Sequence, residues 1–193
     1  MDRLEFLVEE PSMAEVLKVI LPKILPQGWV LNENFFVRPH QGKSDLKKSI
    51  PNKFKAFSEL PFNTGIIVVQ DQDANDCRQL KNELSELCNQ HNSKPCPYRV
   101  RIACHELESW YLGDASALEA VFPHHFKANK YKNKELCKNP DNIVSPKHRL
   151  KKIVGDYPQI DIARRIAEKM DVNANKSGSF NQFKNGVIAL IRS

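Results

Sequence analysis

Two stretches of this chain set carboxylates directly after an apolar run: Phe6-Leu7-Val8-Glu9-Glu10-Pro11-Ser12 and Ile66-Ile67-Val68-Val69-Gln70-Asp71-Gln72-Asp73. An apolar run of strand length that meets acids and then a helical pattern places those acids at the carboxyl edge of a parallel sheet. Open α/β sheets bind their ligands at that edge. Three or more carboxylates converging there repel one another unless a cation neutralises them, and hard oxygen donors favour a magnesium-type ion. The chemistry predicted is metal-dependent chemistry on phosphate.

Each cluster also has a plain structural alternative. A carboxylate at a helix amino terminus stabilises the positive end of the macrodipole, which accounts for one of Glu9 and Glu10 without any ligand. Leu4, Phe6 and Val8 fall on one side of the first strand and Glu5, Leu7 and Glu9 on the other. At most one of the two glutamates then points straight into the crevice, and Glu9 is the expected one. Asp71 and Asp73 both face a shared ion if the chain turns there; alternatively one of them, or Asp76, caps the next helix. Asp71-x-Asp73-x-Asn75 imitates the start of a calcium-binding loop, but Asp76 stands where glycine is required and Asn82 where a bidentate glutamate is required.

A third cluster, His105-Glu106-Leu107-Glu108-Ser109-Trp110-Tyr111-Leu112-Gly113-Asp114, follows another strand pattern. It is no zinc-protease motif, because Ser109 occupies the place of the second histidine. Glu106 and Glu108 either add metal ligands or a general base at the same edge, or stay solvated while Trp110 and Leu112 anchor a helix. His40, His91, His124, His125 and His148 show no ligand spacing and are expected at the surface. There is neither a glycine-rich phosphate loop nor a nucleophile elbow.

The elements that must position these acids follow from hydrophobic periodicity. Arg3 to Val8 reads as a strand. A helix starts at Ser12, with Glu15 at the capping-box spacing and Val16, Leu17, Ile20, Leu21 and Ile24 on its apolar face. Trp29 to Val37 reads as a second strand, Ser44 to Phe57 as a helix broken near Pro51, and Gly65 to Gln70 as a central parallel strand. Asp76 to Gln90 is an amphipathic helix, Tyr98 to Cys104 a fourth strand and Glu106 to Val121 a helix. This alternation gives an α/β fold, a mostly parallel four-stranded sheet with flanking helices. Helices near Pro146 to Val154, Ile160 to Met170 and Phe180 to Ile191 form a helical carboxyl-terminal extension, and 127 to 142 reads as a loop or insertion. The expected organisation is an α/β core over residues 1–122, with a basic insertion and carboxyl-terminal helices over 123–193 packed on it as one compact domain.

A chain of 193 residues buries a real core without disulfides. Five cysteines, odd in number and without a CxxC pair, suit a reducing cytoplasm, and Cys88 and Cys104 are expected to pack as small hydrophobes. Asp2, Arg3 and Glu5 interrupt any signal-peptide core, and no run reaches membrane-spanning length, so a cytoplasmic protein without a membrane partner is expected. The formal net charge is +6. Its excess gathers in Lys130, Lys132, Lys134, Lys147, Arg149, Lys151 and Lys152, with a second basic stretch from Lys43 to Lys55. Nucleic acid is the polyanion such clusters attract; a solvated lysine-rich surface is the alternative.

Val8-Glu9-Glu10-Pro11-Ser12 before a helix, with Val68-Val69-Gln70-Asp71-Gln72-Asp73, resembles the Toprim domain of topoisomerases, primases and overcoming-lysogenization-defect (OLD) nucleases. More narrowly, Glu108-Ser109-Trp110-Tyr111-Leu112-Gly113-Asp114 and Ser179-Phe180-x-x-Phe183 resemble a Toprim-like family of small prokaryotic proteins associated with ATPases in defence gene clusters. That likeness spans nearly the whole chain. It implies a Toprim-like, Rossmann-like fold in which Glu9, Asp71 and Asp73 bind Mg2+ or Mn2+ and Glu108 is the fourth acid of a catalytic metal site. Many Toprim domains place glycine directly after the glutamate, where this chain has Glu10. The implied activity is that of a metal-dependent nuclease acting on DNA or RNA, the toxic effector of an anti-phage defence system. The alternative is a non-catalytic Toprim-shaped binding subunit of an ATPase or nucleic-acid complex; Val187, Leu190 and Ile191 of the last helix serve such docking if exposed, though core packing is the commoner use of such residues. A homodimer is left open.

Overall fold

Ile66, Ile67, Val68 and Val69 are apolar on both faces of a strand, a pattern satisfied only in the middle of a covered sheet. In the computed structural model, which describes residues 1–192, they lie in β3 (Thr64–Asp71), buried along its whole length. Ser193, the last residue of the expected carboxyl-terminal segment, lies outside the described residues. β3 pairs with β1 (Arg3–Val8) and β4 (Tyr98–Ala103), and β2 (Phe35–Pro39) completes a four-stranded, all-parallel sheet in the order β2-β1-β3-β4. The helices are α1 (Pro11–Ile24), α2 (Lys43–Ser58), α3 (Cys77–His91), α4 (Glu108–Leu112), α5 (Ala115–Val121), α6 (Ala128–Tyr131), α7 (Glu135–Lys138), α8 (Pro146–Val154), α9 (Gln159–Lys169) and α10 (Gly178–Arg192). No helix among the described residues is long and apolar enough to cross a membrane.

Strand alternation divides the core in two. Leu4, Phe6, Val8, Ile67 and Val69 face α1 and α10, and α9 packs on α1 behind them. Leu7, Ile66, Val68, Val100 and Ile102 face Leu46, Ile50 and Phe54 of α2 and Leu80, Leu84 and Cys88 of α3. The last helix closes the core begun by the first strand: Phe183 packs its ring 6.4 Å from Phe6 and 5.1 Å from Trp110. The Trp110 indole N–H donates to Ser179 Oγ at 3.0 Å. Val187 and Leu190 belong to this core, the commoner use of such residues, so they do not form a docking face, and Ile191 is partly buried against it.

Several expected boundaries move for local reasons. β2 begins at Phe35 because residues 30–34 form a turn, with Asn34 Oδ1 accepting the Val30 N–H at 2.7 Å and Asn32 left-handed at φ 66°. α2 runs unbroken through Pro51, since Leu46, Ile50, Phe54 and Phe57 press both halves onto the sheet. Four such burials, at about 1.5–3 kcal/mol each, exceed the ~3 kcal/mol cost of an interior proline. The expected helix from Glu106 to Val121 is two helices: Asp114 Oδ1 accepts the N–H groups of Ser116 and Ala117, at 3.1 and 3.0 Å, and caps α5 afresh. α1 starts at Pro11, whose missing N–H costs nothing at a first position. There is no capping box, because the Ser12 hydroxyl donates to Glu10 and Glu15 pairs with Lys18. Residues 127–142 are not plain loop but contain α6, α7 and a 3₁₀ turn at Pro140–Asn142.

Candidate functional site

β1, β3 and β4 run parallel in register, Val8 opposite Val69 and Asp71 opposite Ala103, so the three acid-bearing segments leave the sheet at one edge. Glu9 reaches across it: its Oε2 accepts the Asp71 backbone N–H at 3.0 Å. Asp71 is 8 % exposed. Its Oδ2 accepts the Leu107 N–H at 3.2 Å, while Oδ1 has no partner among the described residues. Glu108, 6 % exposed, accepts the Tyr157 hydroxyl on Oε1 at 3.2 Å.

The electrostatics show how these acids bear on one another. Burial pushes the Asp71 carboxyl well above the usual range, and Glu10, Glu9 and Glu108 add to it in that order. Glu9 is pushed up to about 7 by burial, with Asp73 and Glu10 adding and the Asp71 N–H and Lys43 opposing. Glu108 also rises to about 7, again by burial first, with Lys147 opposing and Glu106 and Glu10 adding. A second buried carboxylate makes the contrast. Glu5, in mid-strand, is as deeply buried, yet Arg3 meets it at 2.6 Å and Arg38 at 3.0 Å. No lysine or arginine among the described residues pairs with Asp71.

Asp73 stands at the outer rim, about half exposed and left-handed at φ 49°, with its side chain paired to Lys43 of α2. Its N–H donates to the His105 carbonyl at 2.6 Å. His105 and Ser145 are left-handed too, at φ 57° and 54°, and with Asp73 they line a cavity of about 210 Å³ beside the acids. Such backbone strain gathers where ligands are held. Among the described residues, no three His, Cys, Asp or Glu side chains stand together at metal-ligand spacing. Glu9, Asp73 and Glu108 are each engaged by a donor or cation of the protein itself.

Sequence patterns singled out Glu9, Asp71, Asp73 and Glu108, and missed others. Glu10 was set aside by strand alternation, but it sits beyond the strand, and among the acids it acts most strongly on Asp71. Gln70, wholly buried, leaves both amide atoms unpartnered among the described residues, so β3 ends on two consecutive buried polar residues with unmet capacity. An unmet buried polar group costs about 1–3 kcal/mol and calls for a reason. Glu106 was read with Glu108 at this edge, and Lys43 and Lys147 only as parts of basic stretches; Tyr157 comes from a segment without a motif, and no local signal placed these last three beside the acids. His40, expected at the surface, is buried instead, its Nδ1 2.9 Å from the Val8 carbonyl and its Nε2 2.6 Å from Ser49 Oγ.

The basic residues divide. Lys130, Lys132, Lys134, Arg149 and Lys152 are exposed, whereas Lys147 and Lys151 are half-buried. Lys147 presents its backbone N–H to Glu106 Oε2 at 2.9 Å, and Lys151 pairs with Asp156 at 2.8 Å.

The donors at this edge are carboxylates, the ligand type a hard divalent cation takes, and one buried oxygen of Asp71 has no partner among the described residues. A family model described as "Domain of unknown function (DUF4276)" matches residues 8–188. No curated protein matches the chain. Among solved structures, the C-terminal region of the Burkholderia pseudomallei OLD protein matches with a TM-score of 0.53 over 99% of this chain and 97% of that one, at 17% identity. The likeness is one of fold.

Proposed function

This chain belongs to the DUF4276 family, and we propose that it hydrolyses phosphodiester bonds of nucleic acid in a magnesium- or manganese-dependent reaction, as a Toprim-like nuclease. The observation that carries the reading is Asp71, a buried carboxylate with one oxygen unpartnered among the described residues, whose proton affinity is raised by burial and by the charges of Glu10, Glu9 and Glu108. An uncompensated buried charge costs several kcal/mol, which makes a purely structural role for this constellation a poor bargain. Glu9, Asp71 and Glu108, with Asp73 and Glu10 beside them, would hold the ion or ions. A bound ion of this type polarises the scissile phosphate and stabilises charge on the leaving oxygen.

The remaining tasks fall to the chain's own groups. Tyr157 fixes one oxygen of Glu108 and so orients its carboxylate. Lys43 and Lys147 neutralise the acids from two sides in the metal-free protein. With a divalent cation on the acids, both ammonium groups would be available to phosphate oxygens. Water is the nucleophile. Lys130, Lys132, Lys134, Arg149 and Lys152 hold the nucleic-acid backbone without reading bases. The setting that the Toprim-like resemblance suggests is an effector of anti-phage defence beside an ATPase.

A second reading draws on the engagement of Glu9, Asp73 and Glu108 with protein donors and cations. A non-catalytic Toprim-shaped subunit would take up metal without turnover. The deciding experiment incubates purified protein with plasmid DNA and with transfer RNA, in magnesium, in manganese and in chelator. Cleavage is expected only with metal, and it disappears in Asp71→Asn and Asp73→Ala while circular dichroism stays unchanged. Undiminished cleavage in those variants refutes the assignment, and a metal-dependent rise in melting temperature without cleavage supports the second reading.

A further inference from the structure

Away from the acids, on the other flank of α8, lies a groove of about 330 Å³. Lys134, Arg149 and Lys152 form its rim, and Ile143, Ile153 and Tyr131 its floor. No carboxylate lines it. The Tyr131 ring is held in place by Phe126, 4.7 Å away between centroids, and by the ammonium groups of Lys130 and Lys134 at 5.2 and 5.7 Å. The rim cations are exposed, and none of the three has an ion-pair partner among the described residues.

Three positive charges around an apolar floor suit a ligand that is anionic and also presents a flat apolar face. A nucleic-acid duplex offers only the first: its phosphates lie outside and its bases are stacked within. An unpaired nucleotide offers both, phosphate to the rim and base to the floor. We infer that this groove takes an unstacked nucleotide of a single strand, so that the protein acts on single-stranded or locally unpaired nucleic acid. The inference rests on the hydrolytic reading above for its purpose, though not for its geometry. α8 joins the two sites, with Lys147 beside Glu106 and Glu108 on one flank and Arg149 and Lys152 on the other.

The test is fluorescence anisotropy in chelator at one ionic strength, with labelled oligothymidylate, oligouridylate of the same length, and the thymidylate paired to its complement. Both single strands are expected to bind at least about tenfold more tightly than the duplex, the scale of one stacked base. Ile143→Glu, which puts a carboxylate into the floor, abolishes that preference. Should this variant fold poorly by circular dichroism, Arg149→Ser with Lys152→Ser changes exposed positions only. That pair is expected to lower the slope of log affinity against log salt for single strands by about 1.4, two contacts' worth. Equal affinity for strand and duplex, an unchanged preference in Ile143→Glu, or an unchanged slope in the double variant overturns the inference. Displacement of the strand by thymidine monophosphate at equal concentration also overturns it, in favour of a free-nucleotide site. Because no metal is present, a protein that cleaves nothing still decides the matter; one that cleaves strand and duplex alike leaves the hydrolytic reading standing while this one falls.

Discussion

Glu108→Gln should make the metal-free protein more stable, and the amount can be worked from the site. Burial, opposed by Lys147 and reinforced by Glu106 and Glu10, pushes the Glu108 carboxyl from its usual 4.5 to about 7. A carboxyl whose proton affinity is raised by folding favours the native state when neutral. Its contribution is therefore complete below about pH 4.5, falls as pH rises, and is gone above about 7. Over that interval the loss is about 3 kcal/mol, at 1.36 kcal/mol for each tenfold change in proton affinity. Glutamine never ionises, and its Oε1 can still accept the Tyr157 hydroxyl. In chelator, calorimetric melts of wild type and variant should coincide near the lower limit. At about pH 8 the variant should melt higher by about 6–12 °C, the equivalent of ~3 kcal/mol for a chain of this size. Magnesium or manganese at that pH should raise the wild type and leave the variant nearly unmoved. A difference constant with pH, or a variant less stable than wild type at about pH 8, would refute the reasoning.

Three further outcomes follow. Lys43→Gln removes the internal cation that pairs with Asp73 and opposes the burial of Glu9, so manganese should bind about fivefold more tightly by calorimetric titration, the equivalent of ~1 kcal/mol for a partly exposed pair; weaker binding would contradict competition. Gly113→Ala brings a methyl group against Asn175 Oδ1 and 2.8 Å from the Ser177 N, and chemical denaturation should show a loss of about 2–3 kcal/mol or more. Gly186→Ala meets only the Arg101 guanidinium, the far end of a flexible side chain, and should cost under about 1 kcal/mol.

Three of the four strands were legible because their signal is local, whereas β2 starts six residues later than read. β1 spans Arg3–Val8 as read, and β3 and β4 differ from the reading by a residue at one or both ends. α3 begins one residue after Asp76, whose Oδ1 accepts the Gln79 N–H at 2.8 Å, so the competition to cap that helix went to Asp76 and left Asp71 and Asp73 unspent. What was not legible depends on partners distant in sequence. The break at Gly113 answers to Asn175 and Ser177, some sixty residues on, and Pro51 survives in α2 because of the sheet beneath it. The same holds for the candidate site. Motifs named acids at strand ends, but Lys43, Lys147 and Tyr157 are gathered by the fold alone: α8 packs on α4, where Lys147 and Tyr157 act on Glu108. Strand alternation misjudged Glu10 because period two stops applying where the strand stops.

The packing of Phe183 on Phe6 and Trp110 has a consequence for biosynthesis. A ribosome that has made all four strands still lacks the helix that seals the first of them, so the nascent chain exposes an open apolar face and an unassembled acid edge. Whatever chemistry the acids perform is withheld until the segment from Gly178 on has been made. A shortened product ending before Gly178 would be a target for proteolysis.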